Sequence, residues 1–366
     1  MTASSQTANR IHNFSAGPCT LPVEALQEAR EHLVDYHGEG MGLIEMSHRS
    51  KTYDAVHEGA IALVRELLDL PQTHKVLFLG GGATMQFAMT AANCLRGGSA
   101  DYTCSGSWSK KAIADAKKYG RVNVVWDGSE EKFTTLPDPA SVKTSDGAAY
   151  LHLTSNETIE GVQWQSFPDV EAPIVADMSS DIMSRPIPAE KFGVIYAGAQ
   201  KNIGPAGVTL VIVRDDVLEQ CPDDLPLYFN YRNHAEKNSL LNTPPVFQVW
   251  MVKLVLEWVK RNGGLAWARE MARTKSGMVY DAIARQGGFY RCPVDPAHRS
   301  SMNVVFRLPS EALEKDFIER AEAEGLSGLK GHRSVGGCRA SLYNAMPLEG
   351  VEALTGFMAD FAARHG

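Results

Sequence analysis

From Lys75 to Val213 the chain alternates short apolar runs with helix-like stretches, and few folds accept that order. The apolar runs are Lys75-Val-Leu-Phe-Leu79, Ser99–Ser105, Val122–Trp126, Ala148–Thr154, Pro173-Ile-Val-Ala-Asp177, Phe192-Gly-Val-Ile-Tyr-Ala197 and Val208-Thr-Leu-Val-Ile-Val213. Most are apolar at successive positions, the mark of strands buried on both faces. Helical patterns from about Met85 to Ala92 and Ser109 to Tyr119 separate the first of them. Strands alternating with helices predict an α/β fold with a mostly parallel, seven-stranded sheet covered on both sides.

The flanks extend this plan. A helix is expected over Val23–Val34, led in by Pro22. A short extended segment, Ile44–Ser50, follows. Then comes an amphipathic helix over Lys51–Leu68, with Val56, Ala60, Leu63, Val64 and Leu67 on one face. A long helix over Thr243–Arg261 stops at Asn262-Gly263-Gly264. A second, Leu265–Gln286, continues past it. Strands near Met302–Leu308 and Arg339–Tyr343 and helices near Ser310–Gly325 and Leu348–Arg364 make a smaller α+β unit. The chain of 366 residues is too long for one small core. We therefore expect a frayed tail over 1–12, a large domain over 13–262, whose first residues pack on its smaller neighbour, and a small domain over 263–366.

Charge and cysteine narrow the function. A net charge of −7 argues against nucleic acid as the main partner. The six cysteines have no CxxC spacing, which argues against a thiolate metal site or a disulfide framework and favours idle thiols in a reducing cytoplasm. The polar first ten residues lack the apolar core of a secretory signal. No run is long enough to span a membrane.

The chemistry is expected at the strand ends. Gly80-Gly-Gly-Ala83-Thr84 joins a strand to a helix and reads as a site whose free N–H groups take one phosphate, with a ligand-free tight turn as the alternative. Met85 stands where a dinucleotide fingerprint needs a third glycine. Asp177 ends a buried strand, either as a helix cap or as a carboxylate for a protonated pyridine nitrogen. Lys201 follows the next strand among the small residues Gly198 and Ala199. Alone, such a lysine is more often a solvated charge than a Schiff-base former. Trp108 follows another strand, as a core residue or as a flat ring for a flat ligand. Thr158 is a loop hydroxyl in Asn156-Glu-Thr-Ile-Glu-Gly. Two His-Arg pairs, His48-Arg49 and His332-Arg333, and Arg339 after Gly336-Gly337-Cys338 are cations in Gly- or Ser-rich settings. Singly each is a solvated face. Together on an acidic protein they point to an anionic substrate.

With those residues in view, the chain resembles the phosphoserine aminotransferase family, which is fold-type I, class V and dependent on pyridoxal 5'-phosphate. The resemblance runs from Asn13-Phe-Ser-Ala-Gly-Pro to the C-terminus. It is carried by Met46-Ser-His-Arg, Gly80-Gly-Gly, Asn156-Glu-Thr-Ile-Glu-Gly, Ser184-Arg-Pro-Ile, Tyr196-Ala-Gly-Ala-Gln-Lys-Asn-Ile-Gly-Pro, Asn242-Thr-Pro-Pro, Leu329-Lys-Gly-His-Arg and Arg339-Ala-Ser-Leu-Tyr-Asn-Ala-Met-Pro. It implies that Lys201 carries the cofactor, that Asp177 pairs with its ring nitrogen and that Trp108 stacks on it. Thr158 and Gln200 look like further contacts, with the backbone of Ala83 and Thr84 at the phosphate. Asn242 and Thr243, and His48 and Arg49, resemble residues lent by a second subunit, so a homodimer is implied. Arg339 resembles the clamp for a substrate α-carboxylate. His332 and Arg333 resemble part of the pocket for a phosphate or side-chain carboxylate. The reaction implied passes an amino group from glutamate to phosphohydroxypyruvate, and in some relatives also serves vitamin B6 synthesis. Ala83-Thr84 departs from the Gly-Arg or Gly-Cys common in relatives, and the N-terminus is about ten residues longer than in short ones. Two rivals are an enzyme of the same fold acting on serine, alanine or cysteine, and a nicotinamide-dependent dehydrogenase. The His-Arg pairs argue against the first. Met85 and the Asp177–Lys201 pair argue against the second.

Overall fold

A computed structural model describes residues 10–366. The expected tail over 1–12 lies outside the described residues as far as residue 9. Within it, His12 already pairs as a strand: His12–Asn13 runs parallel to Leu326–Ser327.

Seven strands form one sheet: β1 (His74–Leu79), β2 (Ser99–Cys104), β3 (Arg121–Asp127), β4 (Leu151–Thr154), β5 (Ile174–Asp177), β6 (Phe192–Gly198) and β7 (Thr209–Arg214). Their spatial order is β1-β7-β6-β5-β4-β2-β3. All neighbours are parallel except those of β7, which runs antiparallel to both β1 and β6. The apolar runs have the expected cause. Along β1, Val76 and Phe78 join the core on one face of the sheet while Leu77 and Leu79 join the core on the other. After α1 (Val23–Glu31), helices α2 (Lys51–Leu67) and α5 (Val246–Arg261) pack on the first face. Helices α3 (Gly82–Cys94) and α4 (Ser107–Ala116) pack on the second. On α2, Val56, Ala60, Leu63 and Val64 are buried, and Leu67 is partly so.

Helix α6 (Gly264–Arg285) leads from this body into a second core. That core is built by α7 (Glu311–Ala323), α8 (Leu348–His365) and the antiparallel pair β8 (Asn303–Phe306) and β9 (Cys338–Ser341). Phe14, from the start of the chain, is fully buried in it.

Three local expectations are corrected. Helix α3 starts at Gly82 rather than Met85, because Gly81 turns at a left-handed φ of 88° and caps it. A side chain at Gly81 would also strike Met85 Cβ at 2.5 Å. Helix α4 starts at Ser107 rather than Ser109, so Trp108 sits in its first turn. Leu43–Glu45 is a 3-10 turn, short of the expected extended segment, because the Glu45 carboxylate accepts the Gly42 N–H at 3.0 Å.

Candidate active site

Parallel strands bring their carboxyl ends to one edge, where an open α/β sheet takes its ligands. Thr154, Asp177 and Tyr196 stand side by side across β4, β5 and β6. Leu79, Thr209 and Gly198 are likewise in register across β1, β7 and β6. The Gly80–Gly82 turn and the Lys201 loop therefore leave the sheet at the same end.

Lys201 is the hub. Its Nζ donates to Thr158 Oγ1 at 2.6 Å. It lies 5.3 Å from the centre of the Trp108 ring. Burial lowers the Lys201 ammonium to about 8, with Arg339 adding to the effect and Asp177, then Glu157, opposing it. Asp177 is the counterpart. It is buried, accepts the Ser179 N–H at 2.9 Å on Oδ1, and has its pKa raised by that burial, with Lys201 opposing. The lysine of the opening pattern is thus no solvated charge.

Arg339, on β9, reaches the same point from the second core. Its Nη1 donates to the Thr158 carbonyl at 3.2 Å. Its Nε is buried with no partner among the described residues. One residue, Thr158, thus accepts from the lysine with its hydroxyl and from the arginine with its carbonyl. Trp108 Nε1 is also buried without a partner. Orphaned donors around an ammonium and a carboxylate are what a bound polar ligand would satisfy.

The first turn of α3 contributes backbone. Its leading N–H groups, including those of Ala83 and Thr84, have no acceptor within the helix. The positive end of the helix dipole lies there too. Thr84 is exposed, so its hydroxyl is free to turn toward an anion. Gln200 folds back on its own strand, and its amide oxygen would lie 2.7 Å from a side chain at Gly198.

Among the described residues, the remaining candidates make no hydrogen bond to this cluster within one chain, though His332 lies near enough to feel the Arg339 charge. Asn242 and Thr243 are exposed, and Asn242 Nδ2 donates only to the neighbouring Thr243 carbonyl. Arg49 is exposed, and its N–H donates to Ser47 Oγ at 3.2 Å. His48 sits beside it on the same loop. His332 is half-buried, and its pKa is lowered by burial and then by Arg339, Arg333 and Lys111. Arg333 is exposed and lines an outer cleft with Arg307, Glu311 and Glu314.

Several residues at the site escaped the sequence reading. Gly17 packs on Lys201: a side chain there would lie 3.2 Å from Lys201 Cγ, at a φ of 139° that favours glycine. The Cys19 thiol donates to the Lys201 carbonyl, and burial pushes its pKa to about 12, so it is an inert packing group. Asn202 Oδ1 accepts the Asn344 N–H at 2.9 Å, tying the lysine loop to the second core. Glu157 and Glu160 bind the start of α4. Only the last two left a signal, carboxylates three apart flanking Thr158. The others are contacts between distant segments.

An edge-on lysine opposite a buried aspartate, on a mostly parallel seven-stranded sheet with a smaller α+β unit, is the design of the class-V aminotransferases. The family model "Aminotransferase class-V" matches residues 11–354, and the chain belongs to that family. Within it, the chain is 51% identical to a phosphoserine aminotransferase of Laribacter hongkongensis, over 97% of this chain and 99% of the relative. It is 50% identical to one of Niallia circulans, over 98% and 100%. The solved phosphoserine aminotransferase of Bacillus circulans subsp. alkalophilus superposes with a TM-score of 0.97 at 50% identity, covering 98% of this chain and 100% of that one. A phosphoserine aminotransferase from Trichomonas vaginalis, solved with its cofactor PLP bound, gives 0.88 at 37%, covering 96% and 100%.

Proposed function

We propose that this protein moves the amino group between L-glutamate and 3-phosphohydroxypyruvate, giving O-phospho-L-serine and 2-oxoglutarate, with pyridoxal 5'-phosphate as cofactor. The observation that carries this is the meeting of Lys201 and Arg339 on Thr158, across from Asp177.

The residues fit the cofactor. The N–H groups of Ala83 and Thr84 suit its phosphate, the Trp108 face its ring, and the Asp177 carboxylate its pyridine nitrogen. Thr158 and Gln200 flank it. When bound, the cofactor supplies an electron sink for the bond at the substrate Cα. Lys201, with a pKa near 8, supplies an amine that gives and takes a proton close to neutrality. Arg339 offers a planar fork to the α-carboxylate that both substrates carry, and that carboxylate would satisfy its orphaned Nε. The half-buried site keeps those charges out of bulk water, which strengthens each contact.

The far end of the substrate is a phosphate in one half-reaction and a carboxylate in the other. His332 and Arg333 are our candidates from the same chain. His48, Arg49, Asn242 and Thr243 are our candidates from a second copy: Arg49, Asn242 and Thr243 are exposed, and the contacts seen for Arg49 and Asn242 among the described residues are with near neighbours. Exposed apolar side chains in the segment that leads to His48 support a homodimer: Val34 is 82% exposed, Ile44 51% and Met41 46%. The domain boundary near 262 fits the stop at Gly263, with φ 111°. The cytoplasm is the compartment this reading implies, since six free cysteines suit a reducing setting. Among the described residues, no helix is long and apolar enough to cross a membrane.

The test is to incubate the protein, loaded with pyridoxal phosphate, with phosphoserine and 2-oxoglutarate and to follow glutamate by NMR. Glutamate should form, and Lys201→Ala should form none. Equal turnover of serine, alanine or cysteine would refute the phosphate pocket. Phosphohydroxythreonine as donor tests the vitamin B6 role.

A further inference from the structure

The turn that presents Thr158 also carries two carboxyl groups that no step above uses. Both reach the N-terminus of α4. Glu157 Oε2 accepts the Trp108 N–H at 3.0 Å and Oε1 the Ser109 N–H at 2.9 Å. Glu160 Oε1 accepts the Ser107 N–H at 2.9 Å and its hydroxyl at 2.6 Å. The two carboxyls crowd one spot. A side chain on Gly106 would meet Glu157 Cδ at 2.6 Å and Glu160 Oε2 at 2.6 Å.

One atom is out of place in this arrangement. Glu160 Oε2 is buried and has no donor among the described residues. A charged oxygen buried without a donor is costly. A proton on Glu157, aimed at that oxygen, supplies the donor. Glu157 keeps lone pairs for both amides when it carries one. We propose that Glu157 and Glu160 form an acid–carboxylate pair holding a single proton, and that this pair is the positioning device for Trp108.

The proposal rests on the reading of Trp108 as the ring that faces the cofactor. The pair fixes the first turn of α4, and through its N–H the tryptophan. Because the same turn holds Lys201 through Thr158, one element sets the ring and the amine together. The charged and titratable groups around the pair are Lys201, Arg339 from β9 and Cys104 from the end of β2. On α4 itself, Lys110 lies over Phe133 and Lys111 over Trp108. Burial and mutual repulsion raise Glu157 to about 8. A separated, solvated carboxyl would release its proton near 4.5. The closed arrangement therefore holds more protons than an open one between those values. It must weaken as pH rises across that window, by up to about tenfold per unit, and level off above it.

The tests use cofactor-free protein. At pH 7 the wild type should show an infrared carboxylic-acid C=O band that titrates away near pH 8. The band should persist in Asp177→Asn and vanish in Glu160→Gln. The Trp108 contribution to near-ultraviolet circular dichroism, taken against Trp108→Phe, should decline from pH 5 to 8. In Glu160→Gln it should stay level, since an amide donates to Glu157 without a shared proton. Glu157→Ala should lose the Trp108 signal, and Glu157→Gln should recover most of it. No band at pH 7, parallel profiles in wild type and Glu160→Gln, or an unchanged Trp108 signal in Glu157→Ala would each overturn the proposal. Should Glu160→Gln not fold, the wild-type band alone decides. None of these readouts involves substrate, so their failure leaves the transamination reading standing, and its failure leaves them standing.

Discussion

A lysine that must attack a carbonyl has to be free of its proton, and the structure says how often Lys201 is. An ordinary lysine, at 10.5, is neutral about once in three thousand molecules at pH 7. At about 8, Lys201 is neutral about once in ten. The gain is about 300-fold in reactive amine, and it comes mainly from burial. Capture of pyridoxal phosphate by the cofactor-free protein, followed by stopped-flow absorbance, should therefore quicken about tenfold per pH unit up to about pH 8 and then level off. The neighbours set the sign of any shift. Asp177 favours the charged form, so Asp177→Asn should move the plateau to lower pH. Arg339 disfavours it, so Arg339→Leu should move the plateau to higher pH. A capture rate that keeps climbing with unit slope beyond pH 9 would show an unperturbed lysine and refute the reasoning.

Arg339→Ala should weaken both half-reactions, read as kcat/KM for glutamate and for phosphoserine; loss in only one would refute the shared carboxylate clamp. Arg49→Ala and Arg333→Ala should weaken phosphoserine binding by at least about tenfold, the scale of one charge-assisted contact, while sparing neutral amino acids; equal losses would rule out the phosphate role. Lys275 is buried in α6, and its Nζ donates to the carbonyls of Tyr343, Asn344 and Met346 at 2.6, 3.3 and 3.1 Å. Lys275→Met should cost at least about 2 kcal/mol, since each orphaned buried acceptor costs about 1–3 kcal/mol. A calorimetric Tm within about a degree of wild type would contradict that.

The sheet was legible because its strands are buried on both faces and so read as unbroken apolar runs, as in β6 and β7. Lys201, Asp177 and Trp108 were legible because each follows such a run, and parallel strands deliver their ends to one edge. The start of α4 was not, because its cap is Glu157, 48 positions away from the Ser109 amide it binds. A local reading sees Ser107 and Ser109 as equal starts. Gly17 and Cys19 were missed for the same reason, since nothing near them in sequence marks a contact with Lys201. His48, Arg49, Asn242 and Thr243 are a different case. Their motif was visible, while among the described residues of a single chain none of them hydrogen-bonds to Lys201, Asp177 or Arg339.

The start of the chain also matters to assembly. His12–Asn13 pairs with Leu326–Ser327, and the Ala16 carbonyl accepts the Tyr343 hydroxyl at 2.8 Å, 327 positions along the chain. A ribosome releases the first of these partners long before the last. Until Leu326 to Tyr343 have been made, Gly17 and Cys19 lack the second core that anchors their segment, and closing so long a loop is slow. The lysine pocket is therefore completed only after the second core has been made. A chain cut short before Leu326 would have its sheet, its Asp177 and its Lys201, and no strand to hold the segment that packs against them.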